Sequence, residues 1–74
     1  MNNIELIIKQ RLNLQSTIRS FEEAYGLTKE DILMRPNKLK SKYLSLDELG
    51  QKQFSKLLVG YTNMWDGRRY IENL

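Results

Sequence analysis

Apolar residues recur through the first third of the chain at steps of three and four. Ile4, Ile7, Leu14, Ile18, Phe21 and Tyr25 make the series, and Arg11 fills the one position where an apolar residue is missing. Such spacing marks one buried face of a helix. Ile8 and Leu12 widen the face, and no glycine or proline interrupts it. The pattern predicts a single helix over about 3–25, which at 1.5 Å per residue would run roughly 34 Å. A second series, Phe54, Leu57, Tyr61 and Met64, is flanked by Leu58 and Trp65. Arg68 and Ile71 keep its phase across Asp66-Gly67, itself a turn signal, so a second long helix is predicted over about 46–70.

The stretch between the two is punctuated by caps. Gly26 suits the left-handed position just past a helix, with Leu27 as the apolar contact that accompanies it. Thr28 and Asp31 have the spacing of a capping box, and Leu27 and Ile32 that of a hydrophobic staple. A short helix over about 29–35 follows, ended by Pro36, which disfavours helix at the residue before it. Ser45 with Glu48 reads as a second capping box, and Leu44 with Leu49 as its staple. Residues 36–44 form a basic connector, a loop or a short helix from Lys38. The expected fold is all-α, one domain over 1–74, with two long antiparallel helices joined by a short helix and the connector.

Two glycines and two arginines disturb this pattern. Gly60 lies inside the second predicted helix, where glycine costs about 1 kcal/mol relative to alanine. Gly67 lies on the same face, and the pair suggests a tight crossing with the first helix, or alternatively a groove for a partner. Arg11 and Arg68 each interrupt an apolar stripe. Their stems can lie along apolar surface with the charged heads in water; a polar residue at a seam can also fix register.

Composition narrows the class. The chain has 74 residues, no cysteine and no histidine. Disulfides are excluded, and ordinary zinc and haem sites lack their ligands. A core this small is marginal, so a second subunit, as a homodimer, is a candidate source of stability. No apolar run reaches the roughly 20 residues of a membrane span. Met1 to Ile8 carries Glu5 and no basic leader, so it does not read as a signal peptide. A soluble cytoplasmic protein is expected. The formal charge of +3 is uneven. Positive and negative residues balance over 1–25 and over 46–74, and the excess lies between, where Lys29, Arg35, Lys38, Lys40 and Lys42 face only Glu30 and Asp31.

Catalytic chemistry has little to stand on. The carboxylate pairs Glu30-Asp31 and Asp47-Glu48 sit in first helical turns, where negative charge favours the helix dipole. Glu22-Glu23 sits near a helix end, where the dipole disfavours it, and is read as solvated. Adjacent helical side chains point about 100° apart and do not converge on one atom. The glycines are not followed by the Gly-Lys-Ser/Thr of a phosphate loop. No enzyme activity, cofactor or metal is expected. Two surfaces remain. Trp65, Arg68, Arg69 and Tyr70 combine residue types enriched at protein-binding hot spots; the structural reading is that Trp65 belongs to the core and the arginines face water. Arg35, Lys38, Lys40 and Lys42, beside Tyr43, could contact phosphates; the structural reading is a solvated connector.

The stretch Phe21-Glu22-Glu23-Ala24-Tyr25-Gly26-Leu27-Thr28-Lys29-Glu30-Asp31-Ile32 resembles a segment of small helical antitoxins of toxin–antitoxin pairs. Their pattern is Phe-Glu-x-x-Tyr-Gly-(Met/Leu)-(Ser/Thr)-x-Glu-(Glu/Asp)-(Phe/Ile). The likeness spans about a dozen residues, and it is also simply a good helix end followed by a good helix start. Those antitoxins tend to be acidic downstream, where this chain carries Lys38, Lys40 and Lys42. The resemblance implies a toxin-neutralising role. The expected function is a non-catalytic protein-binding regulator of inhibitor, antitoxin or adaptor type. The alternative is a small nucleic-acid-binding protein using residues 35–42.

Overall fold

The computed structural model describes residues 3–61 and 64–74, and all of its regular structure is helical. The helices among these residues are α1 (Asn3–Leu12), α2 (Gln15–Tyr25), α3 (Lys29–Met34), α4 (Pro36–Ser45), α5 (Glu48–Val59) and α6 (Met64–Glu72). The fold is all-α, as the periodicity predicts, but neither long helix forms as expected.

The helix predicted over 3–25 is divided at Asn13-Leu14. The Leu14 N–H bonds back to the Arg11 carbonyl at 3.0 Å, which tightens the turn, and Leu14 itself is extended with φ −83° and ψ 120°. A straight helix would run roughly 34 Å, whereas the longest dimension of the molecule with the helix divided is 29 Å. Divided, α1 and α2 both pack on α5. α1 buries Ile8 and Leu12 while α2 buries Thr17 and Phe21, and Leu14, which an unbroken stripe would put inside, is exposed.

The second predicted helix, 46–70, ends early at Gly60. There φ is 88° and ψ 175°, a conformation open essentially to glycine alone. α5 stops at Val59 and the chain resumes in α6; positions 62 and 63, which the expected helix would cross, lie outside the described residues. The start also differs. Ser45 does not cap α5, because its hydroxyl donates back to the Lys42 carbonyl at 2.6 Å and closes α4. Asp47 caps instead, accepting from the Gly50 N–H at 2.7 Å. Leu44 and Leu49, the expected staple, are both exposed.

The cap predicted between α2 and α3 forms. Gly26 is left-handed, its N–H bonds to the Glu22 carbonyl, and the Leu27 N–H bonds to that of Phe21. Thr28 and Asp31 exchange both bonds of a capping box, and Leu27 and Ile32 are buried beneath it. The basic connector is itself a helix, α4. Pro36 sits in its first turn, where a missing N–H is harmless. Leu39 and Tyr43, four residues apart on one face, are wholly buried; burial of such side chains is worth about 1.5–3 kcal/mol each.

α5 is the central element and packs on α1, α2, α4 and α6. The Phe54 ring is the hub of the core, with centroids 4.8 Å from Tyr25, 5.4 Å from Phe21 and 6.1 Å from Tyr43, all edge-on. No helix is long and apolar enough to cross a membrane, among the described residues.

Candidate functional site

α6 presents two flanks, one on each side of its buried Gly67–Ile71 edge. Gly67 is what lets the helix lie so close. A Cβ there would stand 2.8 Å from Val59 Cγ2 and 3.2 Å from the Ser55 carbonyl oxygen. The tight approach expected at Gly60 against the first helix is therefore made by Gly67 against α5. Gly60 is instead beside the Arg11 guanidinium.

On one flank lie Trp65, Arg68 and Glu72, at steps of three and four. Arg68 is partly buried and donates from Nε to the hydroxyl of Tyr43 at 3.1 Å. That hydroxyl donates to Glu72 Oε2 at 3.4 Å. The bond to Tyr43, followed by the charges of Glu72 and Glu48, holds the Arg68 guanidinium charged above its ordinary range. Its Cζ lies 5.4 Å from the centre of the Trp65 ring, within cation–π range. Trp65 is not core: 67% of its surface is exposed. Leu44, next to Tyr43 in the chain, is exposed too. The result is a pre-positioned cation and a large ring on an ordered helix.

Tyr70 occupies the other flank, and Arg69, four residues after Trp65, stands between the two. They line a cleft of about 430 Å³ with Ile4, Glu5, Asp66 and Leu74. Burial, then the Glu5 charge, raises the Tyr70 phenol above its ordinary value. The four residues that the sequence groups as one partner surface are thus divided: Trp65 and Arg68 meet ring to guanidinium, Tyr70 lines the cleft, and Arg69, the i+4 neighbour of Trp65, borders both sides.

The basic segment is dispersed as well. Asp31, buried at the start of α3, gathers two of its four cations: Arg35 Nη1 at 2.7 Å and Lys38 Nζ at 3.0 Å. Its carboxylate also accepts the Thr28 N–H at 3.1 Å. That backbone bond, then Lys38 and Arg35, hold the Asp31 carboxyl well below the usual carboxylate range. Arg35 is held charged in return, chiefly by Asp31. Lys40, on the opposite flank of α4, donates to the Leu74 carbonyl at 3.3 Å. Lys42 turns toward Tyr25 across a concavity that Lys38 also lines. The i,i+4 spacing of Asp31 and Arg35 was a usable signal for their pairing; the approach of Lys38 depends on the helix restarting at Pro36.

Arg11 joins α1 to α5. Its Nε donates to the Leu57 carbonyl at 3.0 Å, satisfying one of the last-turn acceptors of α5.

Comparison of the chain with known proteins finds no matching family model, no matching curated protein and no matching solved structure.

Proposed function

We propose that the protein is a non-catalytic regulator that binds another protein through the Trp65–Arg68 flank of α6. The observation that carries this reading is the pairing of an exposed Trp65 with an Arg68 already held by Tyr43. An amphipathic ring and a planar guanidinium are the side chains most often found at the centre of protein interfaces. Pre-positioning lowers the ordering cost that binding would otherwise carry. The partner that suits this face offers an apolar recess for the ring and a carboxylate for the guanidinium, which can accept in two-pronged geometry. Inhibitor, adaptor and antitoxin are all forms of this activity; the antitoxin form draws additionally on the resemblance of residues 21–32. The alternative use of residues 35–42 on nucleic acid is weakened by the pairing of Arg35 and Lys38 with Asp31.

The reading is tested by a photoreactive side chain installed at position 65, with position 40 as control, irradiated in host-cell lysate. A protease-sensitive, nuclease-resistant adduct at 65 that disappears with Arg68→Ala supports it. A nuclease-sensitive adduct at 65, or adducts of equal yield at 40, overturns it.

A further inference from the structure

The concavities of this small molecule differ in charge. The cleft beside Arg69 includes Glu5 and Asp66, and a hollow on α2 includes Glu22 and Glu23. Two others are lined by no carboxylate, and they adjoin. One, of about 400 Å³, lies where α1, α2 and α5 end, and is lined by Arg11, Tyr25, Gln53, Lys56 and Tyr61. The other, of about 390 Å³, lies between the end of α2 and one flank of α4, with Lys38, Ser41, Lys42 and Ser45 across from Tyr25. Tyr25 lines both.

We infer that these two concavities form a track for a short single-stranded nucleic acid, on a face distinct from the Trp65–Arg68 flank. The cations are poised for it. The Arg11 guanidinium is fixed by its Nε bond to Leu57, and its Nη groups have no acceptor among the described residues. Gly60 adjoins it: a Cβ there would make ordinary contact with Nη1 at 3.4 Å. Lys56 Nζ sits 3.7 Å from the centre of the Tyr61 ring. Lys42 lies on the α4 flank that faces Tyr25, beside Lys38, whose ammonium is shared with Asp31.

The chemistry of the occupant follows from three features. Positive charge repeats across two adjoining hollows, which fits a chain of anions rather than one ion. Helices α2 and α5 both end here, and their carbonyl ends oppose any anion, so the occupant must draw on the repeated cations and a stacking contact together. The Tyr61 ring is 79% exposed, with Lys56 over it, and an exposed ring beside cations is what stacks a base while its phosphate is held. An acidic peptide would use the cations and leave the ring idle.

The test uses the full chain and a fluorescein-labelled oligodeoxythymidine of ten nucleotides. Binding should fall between about 1 and 100 µM at 50 mM KCl. Arg11, Lys42 and Lys56 as about three phosphate contacts give a roughly 20-fold loss on raising KCl to 200 mM. Lys42→Ala with Lys56→Ala should weaken binding about tenfold or more. Lys9→Ala with Lys52→Ala removes the same charge elsewhere and should stay within about threefold. Tyr61→Ala should weaken binding without changing the salt slope. Amide shifts on titration, read on the unmodified protein, should centre on Arg11, Tyr25, Lys42 and Lys56. Absence of binding at 100 µM overturns the inference, as does equal loss in the two lysine pairs. So does a polyglutamate peptide that displaces the oligonucleotide better than unlabelled oligodeoxythymidine, which would make the occupant an acidic protein. Loss of oligonucleotide binding on Trp65→Ala would place the strand on α6 instead, and so separates failure here from failure of the protein-binding reading.

Discussion

Arg68 Nε donates to the hydroxyl of the wholly buried Tyr43 at 3.1 Å, so a side chain of α6 is fixed by one from α4. Tyr43 passes the contact on to Glu72, which returns it to α6 one turn further along. Removing the hydroxyl leaves the ring packing and takes away the hub. Tyr43→Phe should destabilise the protein by about 1 kcal/mol, since Arg68 is exposed enough to recover water in place of its lost acceptor. The urea midpoint should fall with an unchanged m-value; an unchanged midpoint would show that the bond contributes nothing.

The two glycines of the C-terminal half should respond for different reasons. At Gly67 the Cβ of alanine meets Val59 Cγ2 at 2.8 Å, and the Ser55 carbonyl at 3.2 Å is backbone and cannot swing away. The helix propensity gain of about 1 kcal/mol is outweighed by overpacking, so Gly67→Ala should destabilise by about 1–2 kcal/mol net. At Gly60 space is adequate, with Arg11 Nη1 at 3.4 Å, but φ is +88°. Gly60→Ala should destabilise by more than about 1 kcal/mol through backbone strain. Chemical denaturation of both variants checks this. Stabilisation at Gly67 would mean that α6 does not lie this close to α5.

Arg11 acts at a helix end. Its Nε bond to the Leu57 carbonyl at 3.0 Å joins α1 to the last turn of α5. Arg11→Met keeps the apolar stem and deletes the donor, and should cost about 1 kcal/mol. Amide exchange should accelerate at the C-terminal end of α5 more than at its start. Uniform acceleration would assign the loss to packing rather than to the cap.

Asp31 makes acid stability a test of the α3–α4 junction. Its folded pKa lies below the ordinary carboxylate value, through Thr28, Lys38 and Arg35. The carboxylate therefore contributes stability that is fully present above the unfolded value of about 3.9. That contribution is lost as pH falls below it toward the folded pKa. Asp31→Asn should lower the melting temperature at pH 7, and the gap from the unmodified protein should narrow at pH 2.5. A gap of equal size at both values would show that charge at Asp31 is not what matters.

The features legible in the sequence are those decided within a few residues. Gly26, Leu27, Thr28 and Asp31 form their caps because each needs only its own neighbours to do so. Helicity as such was legible for the same reason. What escaped was set by the whole molecule. Nothing local forbids a helix through Asn13-Leu14; the break reflects a core centred on Phe54 that a straight rod could not cover. Gly60 and Gly67 read alike as small residues on one face, yet one ends a helix and the other admits a neighbour. Arg35 and Lys38 read as free cations because Lys38 reaches Asp31 only after the chain turns at Pro36. The quartet Trp65, Arg68, Arg69 and Tyr70 was found as a cluster in sequence, but a helix spreads its members around its outer side, and only the position of Tyr43 shows which of them is anchored.

That division gives a prediction about recognition. If a protein partner binds the anchored flank, truncation at Trp65 should remove contact area without disturbing the fold, because the ring is mostly exposed. Trp65→Ala should cost about 2 kcal/mol or more of binding and leave the melting temperature nearly unchanged. Arg68→Ala should cost a similar amount, with some loss of stability through Tyr43. Arg68→Lys should not rescue binding, since an ammonium cannot offer the planar fork of a guanidinium. Tyr70→Phe, on the cleft side, should change affinity by less than about 1 kcal/mol, and Arg69→Ala, beside Trp65 at i+4, by less than Arg68→Ala. Alanine at Lys38, Lys40 and Lys42 should mainly slow association and soften its salt dependence. Calorimetry on the purified pair measures all of these on one scale. Equal losses at Arg68 and Arg69 would mean that the partner embraces both flanks of α6. A loss confined to Arg69 and Tyr70 would move the interface to the cleft beside Ile4 and Glu5, and the bond between Arg68 and Tyr43 would then be a brace for the fold alone.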